Sequence, residues 1–231
     1  MIIGIVGKKN VGKDLVADLL VKKGFIKLSF ASILKNAAKE LFNWDDHQVN
    51  DDKEKIDPKW NITPREVLQL LGTEFLREKL GNKLNNEIEF NGNKKDFSFH
   101  VKNLFLKNKD IILSKKNIVI SDIRFKDEYN FVKWIGGNIL KINRNIEENE
   151  FSDHLSENNL DDTKDFDWII DNNFSISHLQ KTIKERSLKE YQEKYPGYPI
   201  DEPKKMSTHD VEQDNIDQLD QFEQVEDGSV M

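Results

Sequence analysis

Two glycines and a lysine near the start of the chain stand at a spacing that suits phosphate binding. The segment reads Gly7-Lys8-Lys9-Asn10-Val11-Gly12-Lys13 and fits the pattern G-x-x-x-x-G-K. Glycines let the backbone wrap a phosphate with its N–H groups, a following helix adds partial positive charge, and the lysine reaches the β- and γ-oxygens of a nucleoside triphosphate. The residues predicted to hold such a nucleotide are Gly7, Lys8, Asn10, Val11, Gly12, Lys13 and Asp14.

Asp14 stands where the general pattern has a serine or threonine that binds Mg²⁺. A carboxylate can also hold Mg²⁺, either directly or through water. An acidic residue in the first turn of a helix is equally well explained by its favourable interaction with the helix dipole. Both interpretations of Asp14 stay open at this point.

Short apolar runs alternate with helical spacings along the chain and predict an α/β fold. Met1 to Val6 is a nearly continuous apolar run, typical of a strand that is covered on both faces of a parallel sheet. The alternation predicts a parallel sheet of about five strands flanked by helices. The predicted strands are 1–6, 25–29, 117–121, 138–143 and 167–171, and the predicted helices are 14–22, 33–42, one that begins at Pro64, 101–107, 127–135 and 176–191. The polar stretch 43–61 is predicted to be a surface excursion, and the Asn- and Gly-rich stretch 81–95 is predicted to be a loop.

The helix that begins at Pro64 is predicted to have two different faces. Its apolar stripe consists of Val67, Leu68, Leu71 and Phe75. Arg65, Gln69 and Thr73 follow one another at steps of four and line the adjacent face. We therefore expect the apolar face to pack against the rest of the protein and the polar face to be exposed.

Composition limits the classes of protein that fit. The chain has 231 residues, which suits one domain with insertions, and it has no cysteine, which excludes disulfides, thiolate zinc sites and a cysteine nucleophile. No run approaches the roughly 20 apolar residues of a membrane span, so a soluble, cytoplasmic protein is expected. The formal charge of -7 comes from an end segment with eight acids and no Lys or Arg after residue 209. The remaining body is nearly neutral, which does not favour nucleic-acid binding by bulk charge.

The carboxyl ends of predicted strands carry further candidate residues. Asp122 and Arg124 follow an apolar strand and lead into a helix, and ligands of open parallel sheets gather at such ends. Asp122 is therefore placed for Mg²⁺ and Arg124 for a phosphoryl group in transfer. The alternative is that Asp122 only caps the following helix and that Arg124 is an ordinary surface residue.

Over about residues 1–185 the sequence resembles the deoxynucleoside monophosphate kinases of bacteriophages and large DNA viruses, to which animal-type phosphomevalonate kinases are related. The likeness lies in Asp14 after the phosphate loop and in four further segments: Leu28-Ser29-Phe30-Ala31-Ser32-Ile33-Leu34-Lys35, Pro64 to Glu74, Ser121-Asp122-Ile123-Arg124-Phe125, and Arg144 with Ser152-Asp153-His154-Leu155-Ser156-Glu157. Two positions depart from the pattern, because the family more often has proline at Ile33 and an aromatic residue at His100.

The resemblance implies a role for several of these residues. Lys35 would contact the acceptor, Arg65 would hold its phosphate, Gln69 would lie near its base, and Arg77 joins them by the same argument. Lys13, Arg124 and Arg144 would stabilise the charge of the phosphoryl group in transfer, and Asp14 and Asp122 would hold Mg²⁺. His154 and Glu157 would shape a lid over about 144–160.

These observations predict a P-loop kinase domain over 1–190, with an acceptor-binding insertion at about 30–110, and an acidic, disordered tail over 191–231. The expected reaction is phosphorylation of a deoxynucleoside monophosphate by ATP with Mg²⁺, in the supply of dNTPs. A phosphomevalonate kinase and a regulatory module that binds nucleotide without catalysis are the alternatives. Whether the chain forms a homodimer stays open.

Overall fold

A five-stranded parallel sheet, with strand order β2-β5-β1-β6-β7, forms the centre of the molecule. The computed structural model describes residues 1–114, 116–145, 160 and 162–173. The strands are β1 (Ile2–Val6), β2 (Ile26–Leu28), β3 (Glu87–Phe90), β4 (Asn93–Asp96), β5 (Ile118–Ile120), β6 (Asn138–Asn143) and β7 (Trp168–Asp171). The α-helices are α1 (Lys13–Val21), α2 (Ser32–Phe42), α3 (Asp46–Asn50), α4 (Pro64–Gln69), α5 (Phe99–Lys107), α6 (Lys109–Leu113) and α7 (Lys126–Trp134). The predicted α/β fold with a parallel sheet of five strands is confirmed.

The central strand β1 pairs in parallel with β5 on one side and with β6 on the other. Ile5, Ile118 and Ile120 are completely buried, because helices cover both faces of the sheet. All five strands run in the same direction, so their carboxyl ends lie along one edge of the sheet. Loops that leave this edge can bring distant parts of the chain together.

The main hydrophobic core lies between the sheet and the helices that include α5 and α7. Phe131 of α7 is fully buried, and its ring makes edge contacts with Phe30, Phe97 and Phe105 at centroid distances of 5.5–6.4 Å. Edge-to-face packing of this kind adds to the stabilisation that comes from burial alone. The core therefore links the sheet to the segments that follow β2 and β4.

A second, smaller core holds the segment between β2 and β3 together. It is formed by Ala38, Trp44, Val49 and Val67, which are all buried. The indole Nε1 of Trp44 donates to Oδ2 of Asp57 at 2.6 Å. This segment therefore has a core of its own, which positions α2, α3 and α4.

The polar stretches 43–61 and 81–95 both contain regular structure. The predicted surface excursion 43–61 includes the short helix α3, whose N-cap Asp45 accepts a hydrogen bond from the backbone N–H of Gln48. The predicted loop 81–95 contains the antiparallel hairpin of β3 and β4. Its turn residues Asn91 and Gly92 have positive φ, as tight turns of this kind require. The prediction of a loop over 81–95 was wrong because polar composition hid the turn chemistry of a hairpin.

The helix that begins at Pro64 changes geometry after six residues. Pro64 stands at its first turn, as predicted, and Thr63 caps the helix, but Leu70–Leu80 forms a π-helix. A π-helix turns by a smaller angle per residue than an α-helix, so positions that would share a stripe diverge. Val67 is buried as predicted, whereas Phe75 is 48% exposed, so its assignment to the packed stripe was wrong.

Among the described residues, no helix combines the length and apolar character that crossing a membrane demands. The predicted helix 176–191 and the acidic tail 191–231 lie outside the described residues.

Candidate active site

The phosphate loop depends on two glycines that leave no room for a side chain. Gly7 has φ +153°, and a Cβ there would lie 2.6 Å from the carbonyl oxygen of Ile142 in β6. Gly12 has φ +98°, and a Cβ there would lie 2.5 Å from Nδ2 of Asn172. Because both contacts are shorter than atoms tolerate, only glycine fits at either position.

A buried asparagine fixes the second half of this loop. Nδ2 of Asn172 donates to the carbonyl oxygen of Val11 at 2.8 Å, and the backbone N–H of Asn172 donates to the carbonyl oxygen of Asn143 at 2.7 Å. Asn172 directly follows β7 and Asn143 ends β6. The ends of two strands thus hold the backbone of the loop in place.

The loop lysine bends back over the backbone that precedes it. Nζ of Lys13 donates to the carbonyl oxygens of Gly7 and Lys8 at 2.7 and 2.6 Å. Gly12 is the N-cap of α1, so Lys13 begins the helix and the helix N-terminus points at the loop. An ammonium group and a helix N-terminus at one place favour the binding of a polyphosphate.

Asp14 lies in the first turn of α1 with its side chain 83% exposed. Its carboxylate is 3.2 Å from Nζ of Lys27, which is also 2.9 Å from Asp18. The pKa of Lys27 is raised, because these two carboxylates outweigh the opposing effect of partial burial. Both interpretations of Asp14, as a magnesium ligand and as a favourable acid at the helix start, are compatible with this position.

Asp122 fastens the loop after β2 to the end of β5. Its carboxylate accepts hydrogen bonds from the hydroxyl of Ser29 at 2.7 Å and from the backbone N–H groups of Phe30 and Ala31 at 3.0 and 2.8 Å. A carboxylate has about four acceptor positions, so about one is left for water or a cation. Asp122 therefore positions the segment that leads into α2 and keeps a limited capacity to hold Mg²⁺.

A single carboxylate connects the phosphate loop with α4. Oε1 of Glu54 lies 3.0 Å from Nζ of Lys9 and 2.5 Å from Nε of Arg65. Partial burial raises the pKa of Glu54, but the hydrogen bonds and positive charges of Lys9 and Arg65 outweigh this effect and lower it. Arg65, which was predicted to hold the acceptor phosphate, thus lies close to the loop that was predicted to hold the donor phosphate.

Lys35, the other predicted acceptor contact, lies in the second turn of α2. Its Nζ donates to Oδ1 of Asn50 at 2.6 Å. Lys35, Arg65 and Arg124 come from three different elements, and all three act electrostatically on the ammonium group of Lys53. The structure therefore brings three of the predicted cations into one region.

The guanidinium of Arg77 is bound by two carboxylates. Its NH1 lies 2.7 Å from Oδ1 of Asp127 and its NH2 lies 2.6 Å from Oε1 of Glu128. The guanidinium also stacks 3.7 Å above the ring centroid of Phe125. With both terminal nitrogens paired, Arg77 contributes to the site through Glu128, and direct contact with an acceptor stays a prediction.

Glu128 in turn holds the backbone that carries Arg124. Its Oε2 accepts hydrogen bonds from the backbone N–H groups of Arg124 at 2.8 Å and Phe125 at 3.1 Å. Burial raises the pKa of Glu128 to about 7, although the charge of Arg77 and the N–H of Arg124 lower it. The turn between β5 and α7 is therefore fixed by a buried carboxylate.

His100 lies beside this network and is buried, with 5% of its surface exposed. Burial and the positive charge of Arg77 lower the pKa of His100 to about 4, while Asp127 acts in the opposite direction. The imidazole is therefore neutral at physiological pH. Its Nδ1 has no hydrogen-bond partner within the described part of the chain.

The remaining predicted residues lie in the phosphate loop, at the end of α4, directly after β6, or outside the described ranges. Gln69 ends α4 and is half-buried, and Arg144 directly follows β6 and is exposed. Lys8 is exposed, Asn10 has φ +64°, and Val11 is buried. Apart from Arg144, Asn145 and Leu160, the predicted lid 144–160 lies outside the described residues, together with His154 and Glu157.

Sequence reasoning missed four residues that shape this site. Lys53 and Glu54 lie in the polar stretch 43–61, where the sequence predicts only a surface excursion. Asn172 follows a predicted strand, and its position at a carboxyl end is the available signal. Glu128 stands three residues after Phe125 at the start of a predicted helix, which is the spacing of an acidic cap.

In the described ranges, no three His, Asp or Glu side chains come close enough to form a ready-made cation site. Mg²⁺ in phosphoryl-transfer sites is held mainly by phosphate oxygens and waters, with one or two carboxylates. Asp14 and Asp122 fit that requirement in number and chemistry.

The parallel sheet, the phosphate loop and the cations along one edge define the class of P-loop kinases. No family model matches the chain. A protein of Acanthamoeba polyphaga mimivirus, named provisionally as a deoxynucleotide monophosphate kinase, is 36% identical over 188 residues, which are 79% of this chain and 94% of that protein. The chain therefore belongs to the deoxynucleoside monophosphate kinase family of bacteriophages and large DNA viruses.

Two solved structures are similar over most of their length. One is a Thermus thermophilus protein with 17% identity and a TM-score of 0.46, covering 82% of this chain and 97% of that chain. The other is the dephospho-CoA kinase of Campylobacter jejuni with 15% identity and a TM-score of 0.45, covering 82% of this chain and 98% of that chain.

Replacing Asn172 by Ala should loosen the phosphate loop. The change leaves the carbonyl oxygen of Val11 without its buried partner, at a cost of about 1–3 kcal/mol in the free energy of unfolding. The loop backbone would also be less well ordered, so binding of an ATP analogue should weaken. Urea unfolding and calorimetry measure both effects. Asn173→Ala is the control, since it removes only an exposed hydrogen bond from the backbone N–H of Asn145, and it should have a smaller effect on both measurements; equal effects of the two variants would contradict the assigned role.

Replacing His100 by Phe should remove a pH dependence of stability. Between about pH 6.5 and pH 4 the unfolded chain binds a proton at this histidine and the folded chain does not, so stability falls as the pH falls. At pH 5, about 1.5 units below the unfolded pKa, the loss is about 2 kcal/mol relative to neutral pH. The difference in unfolding free energy between wild type and His100→Phe should therefore change by this amount from pH 7 to pH 5. A difference that stays constant would show that His100 is protonated equally in both states.

Proposed function

We propose that this chain transfers the terminal phosphoryl group of ATP to the phosphate of a deoxynucleoside monophosphate. The observation that carries the proposal is the bridge of Glu54 between Lys9 of the phosphate loop and Arg65 of α4. This bridge joins the loop that would hold the phosphates of ATP to a group of cations that suits a second phosphate. A reaction between two phosphates needs these two sites side by side.

The acceptor side fits a phosphate monoester. Lys35, Arg65 and Arg124 supply three positive charges from α2, α4 and the turn after β5. Asp122 fixes the loop that leads to Lys35, and Glu128 fixes the turn that carries Arg124. Such supporting carboxylates hold cations in place before the ligand arrives, which reduces the free-energy cost of ordering them.

In the proposed reaction, an oxygen of the acceptor phosphate attacks the γ-phosphorus of ATP, and the bond from that phosphorus to the bridging oxygen breaks. ADP leaves and the acceptor becomes a diphosphate. The acceptor oxygen is already anionic, so the reaction needs positioning and charge neutralisation more than a general base. Lys13 neutralises charge on the donor, and Arg124 and Arg144 neutralise charge on the group in transfer.

Bound Mg²⁺ would supply positive charge that neutralises the phosphate groups of ATP. Asp14 and Asp122 are the residues that would hold it. Gln69, at the end of α4, is the residue that would contact the base, and it favours a nucleotide over phosphomevalonate as the acceptor.

A panel of acceptors tests the proposal directly. ATP is offered with dGMP, dTMP, dCMP, dAMP and phosphomevalonate in turn, and ADP release is measured by a coupled assay with product identification. We expect a diphosphate from at least one deoxynucleoside monophosphate. If phosphomevalonate is the only acceptor that gives a product, the chain is a phosphomevalonate kinase and the proposal is wrong. Tight ATP binding without any product would indicate a nucleotide-binding module without catalysis.

Lys13→Ala tests the role of the phosphate loop. Loss of the ammonium group should lower kcat by about 10²–10³-fold or more, because it removes charge stabilisation of the transition state. The side chain makes its hydrogen bonds at the surface of the loop, so thermal unfolding should stay close to that of the wild type. Lys22→Ala, at the exposed end of α1, is the control. A folded Lys13→Ala variant with wild-type turnover would overturn the assignment.

A further inference from the structure

The turn that connects α3 with α4 brings a lysine to the acceptor region. Lys53 lies within this turn, and its carbonyl oxygen accepts the backbone N–H of Arg65 at 2.8 Å. The backbones of Lys53 and Arg65 are thus adjacent in space, although twelve positions apart in the sequence. The side chains of Lys53 and Arg65 therefore start from neighbouring points of the backbone.

The ammonium group of Lys53 lies among other cations. Burial lowers its pKa, and the positive charges of Arg65, Lys35 and Arg124 lower it further, while Glu54 acts in the opposite direction. These cations come from α4, α2 and the turn after β5, so the repulsion is created by the tertiary structure. Like charges that are brought together destabilise a folded protein unless something offsets them.

The described residues offer little to offset this charge. Oε1 of Glu54 is already within 3.0 Å of both Lys9 and Arg65. No carboxylate in the described ranges lies within ion-pair distance of Lys53. Glu54 is therefore already shared between two other cations, and the positive charge of Lys53 suits a phosphate monoester as its partner.

A second lysine of the same turn shows what an ordinary surface position looks like. Lys55 has its side chain 73% exposed and pairs with Asp52 at 2.8 Å. Lys53, two residues earlier, is half-buried, and burial together with the charges of Arg65, Lys35 and Arg124 lowers its pKa. The two lysines of this turn thus differ in exposure and in electrostatic environment.

We propose that Lys53 binds the phosphate group of the acceptor, together with Lys35, Arg65 and Arg124. This inference rests on the proposed function and adds a residue to the acceptor site. Glu54, the next residue in the chain, holds Arg65 and Lys9 in place, so the turn both supplies a cation and fixes the neighbouring one. The ligand class is a phosphate monoester dianion.

The test compares Lys53→Met, Lys53→Arg and the control Lys55→Met in steady-state kinetics with the best acceptor of the panel. Removing a charge-assisted hydrogen bond should raise KM for the acceptor about 10- to 100-fold. KM for ATP should stay within about twofold of wild type, because the donor is held by the phosphate loop. Lys53→Arg should recover most of the affinity, and Lys55→Met should match the wild type. An unchanged acceptor KM in Lys53→Met, or a change confined to ATP, overturns the proposal.

The pH dependence separates binding from a purely structural role. As the pH rises past the lowered pKa of Lys53, its ammonium loses a proton and binding of the acceptor should weaken. A guanidinium keeps its charge, so Lys53→Arg should keep its affinity to higher pH than the wild type. Parallel pH profiles of the two proteins would contradict the assignment. Lys53→Met should unfold at a temperature no lower than wild type, since it relieves repulsion among cations.

Direct binding keeps this inference separate from the proposed function. Calorimetry with dGMP and with inorganic phosphate, in the absence of ATP, measures binding of the anion without turnover. If the panel gives no product but Lys53→Met binds these anions at least tenfold more weakly than wild type, the kinase activity fails and the anion site stands. If the panel gives product and Lys53→Met binds as the wild type does, the site assignment of Lys53 fails alone.

Discussion

The site depends on how closely two strand ends approach the phosphate loop. The carbonyl oxygen of Ile142 lies where a side chain on Gly7 would be, and the amide of Asn172 lies where a side chain on Gly12 would be. The loop is therefore confined between β6 and the residue after β7, and its N–H groups keep one arrangement. Such confinement provides preorganised donors, which cost no ordering when a phosphate binds. The parallel sheet is what brings these distant positions together.

Carboxylates organise the cations of the site, each by joining two parts of the chain. Asp122 joins the end of β5 to the loop after β2, and Glu54 joins the phosphate loop to α4. Glu128 joins the turn after β5 to Arg77 of the π-helix. Fixing a cation through a neighbouring carboxylate lowers the net repulsion within the site and restricts the side chain to one orientation.

The sequence allowed the sheet and the phosphate loop to be predicted because both rest on local patterns. The apolar runs of β1, β5 and β6 indicate strands that are buried on both faces of the sheet. The glycine spacing indicates a backbone that wraps an anion. Lys53 and Glu54 could not be recognised in this way, since their significance arises from a tertiary contact between a turn and α4. The π-helix was equally hidden, because its residues have ordinary helical composition and only packing reveals the wider turn. Phe75 was consequently assigned to a buried stripe, although it is exposed.

Arg77 illustrates why residue type alone does not determine a role. An arginine on the polar face of a helix near an acceptor site suggests direct phosphate contact, yet both of its terminal nitrogens pair with Asp127 and Glu128. Glu128 is buried and would be costly to ionise alone, so the guanidinium allows it to act as an acceptor for the backbone of Arg124 and Phe125. His100, neutral and buried beside this pair, adds no charge that would compete. Arg77 therefore acts on the position of Arg124 indirectly, because it neutralises the carboxylate that holds the backbone of the turn on which Arg124 stands.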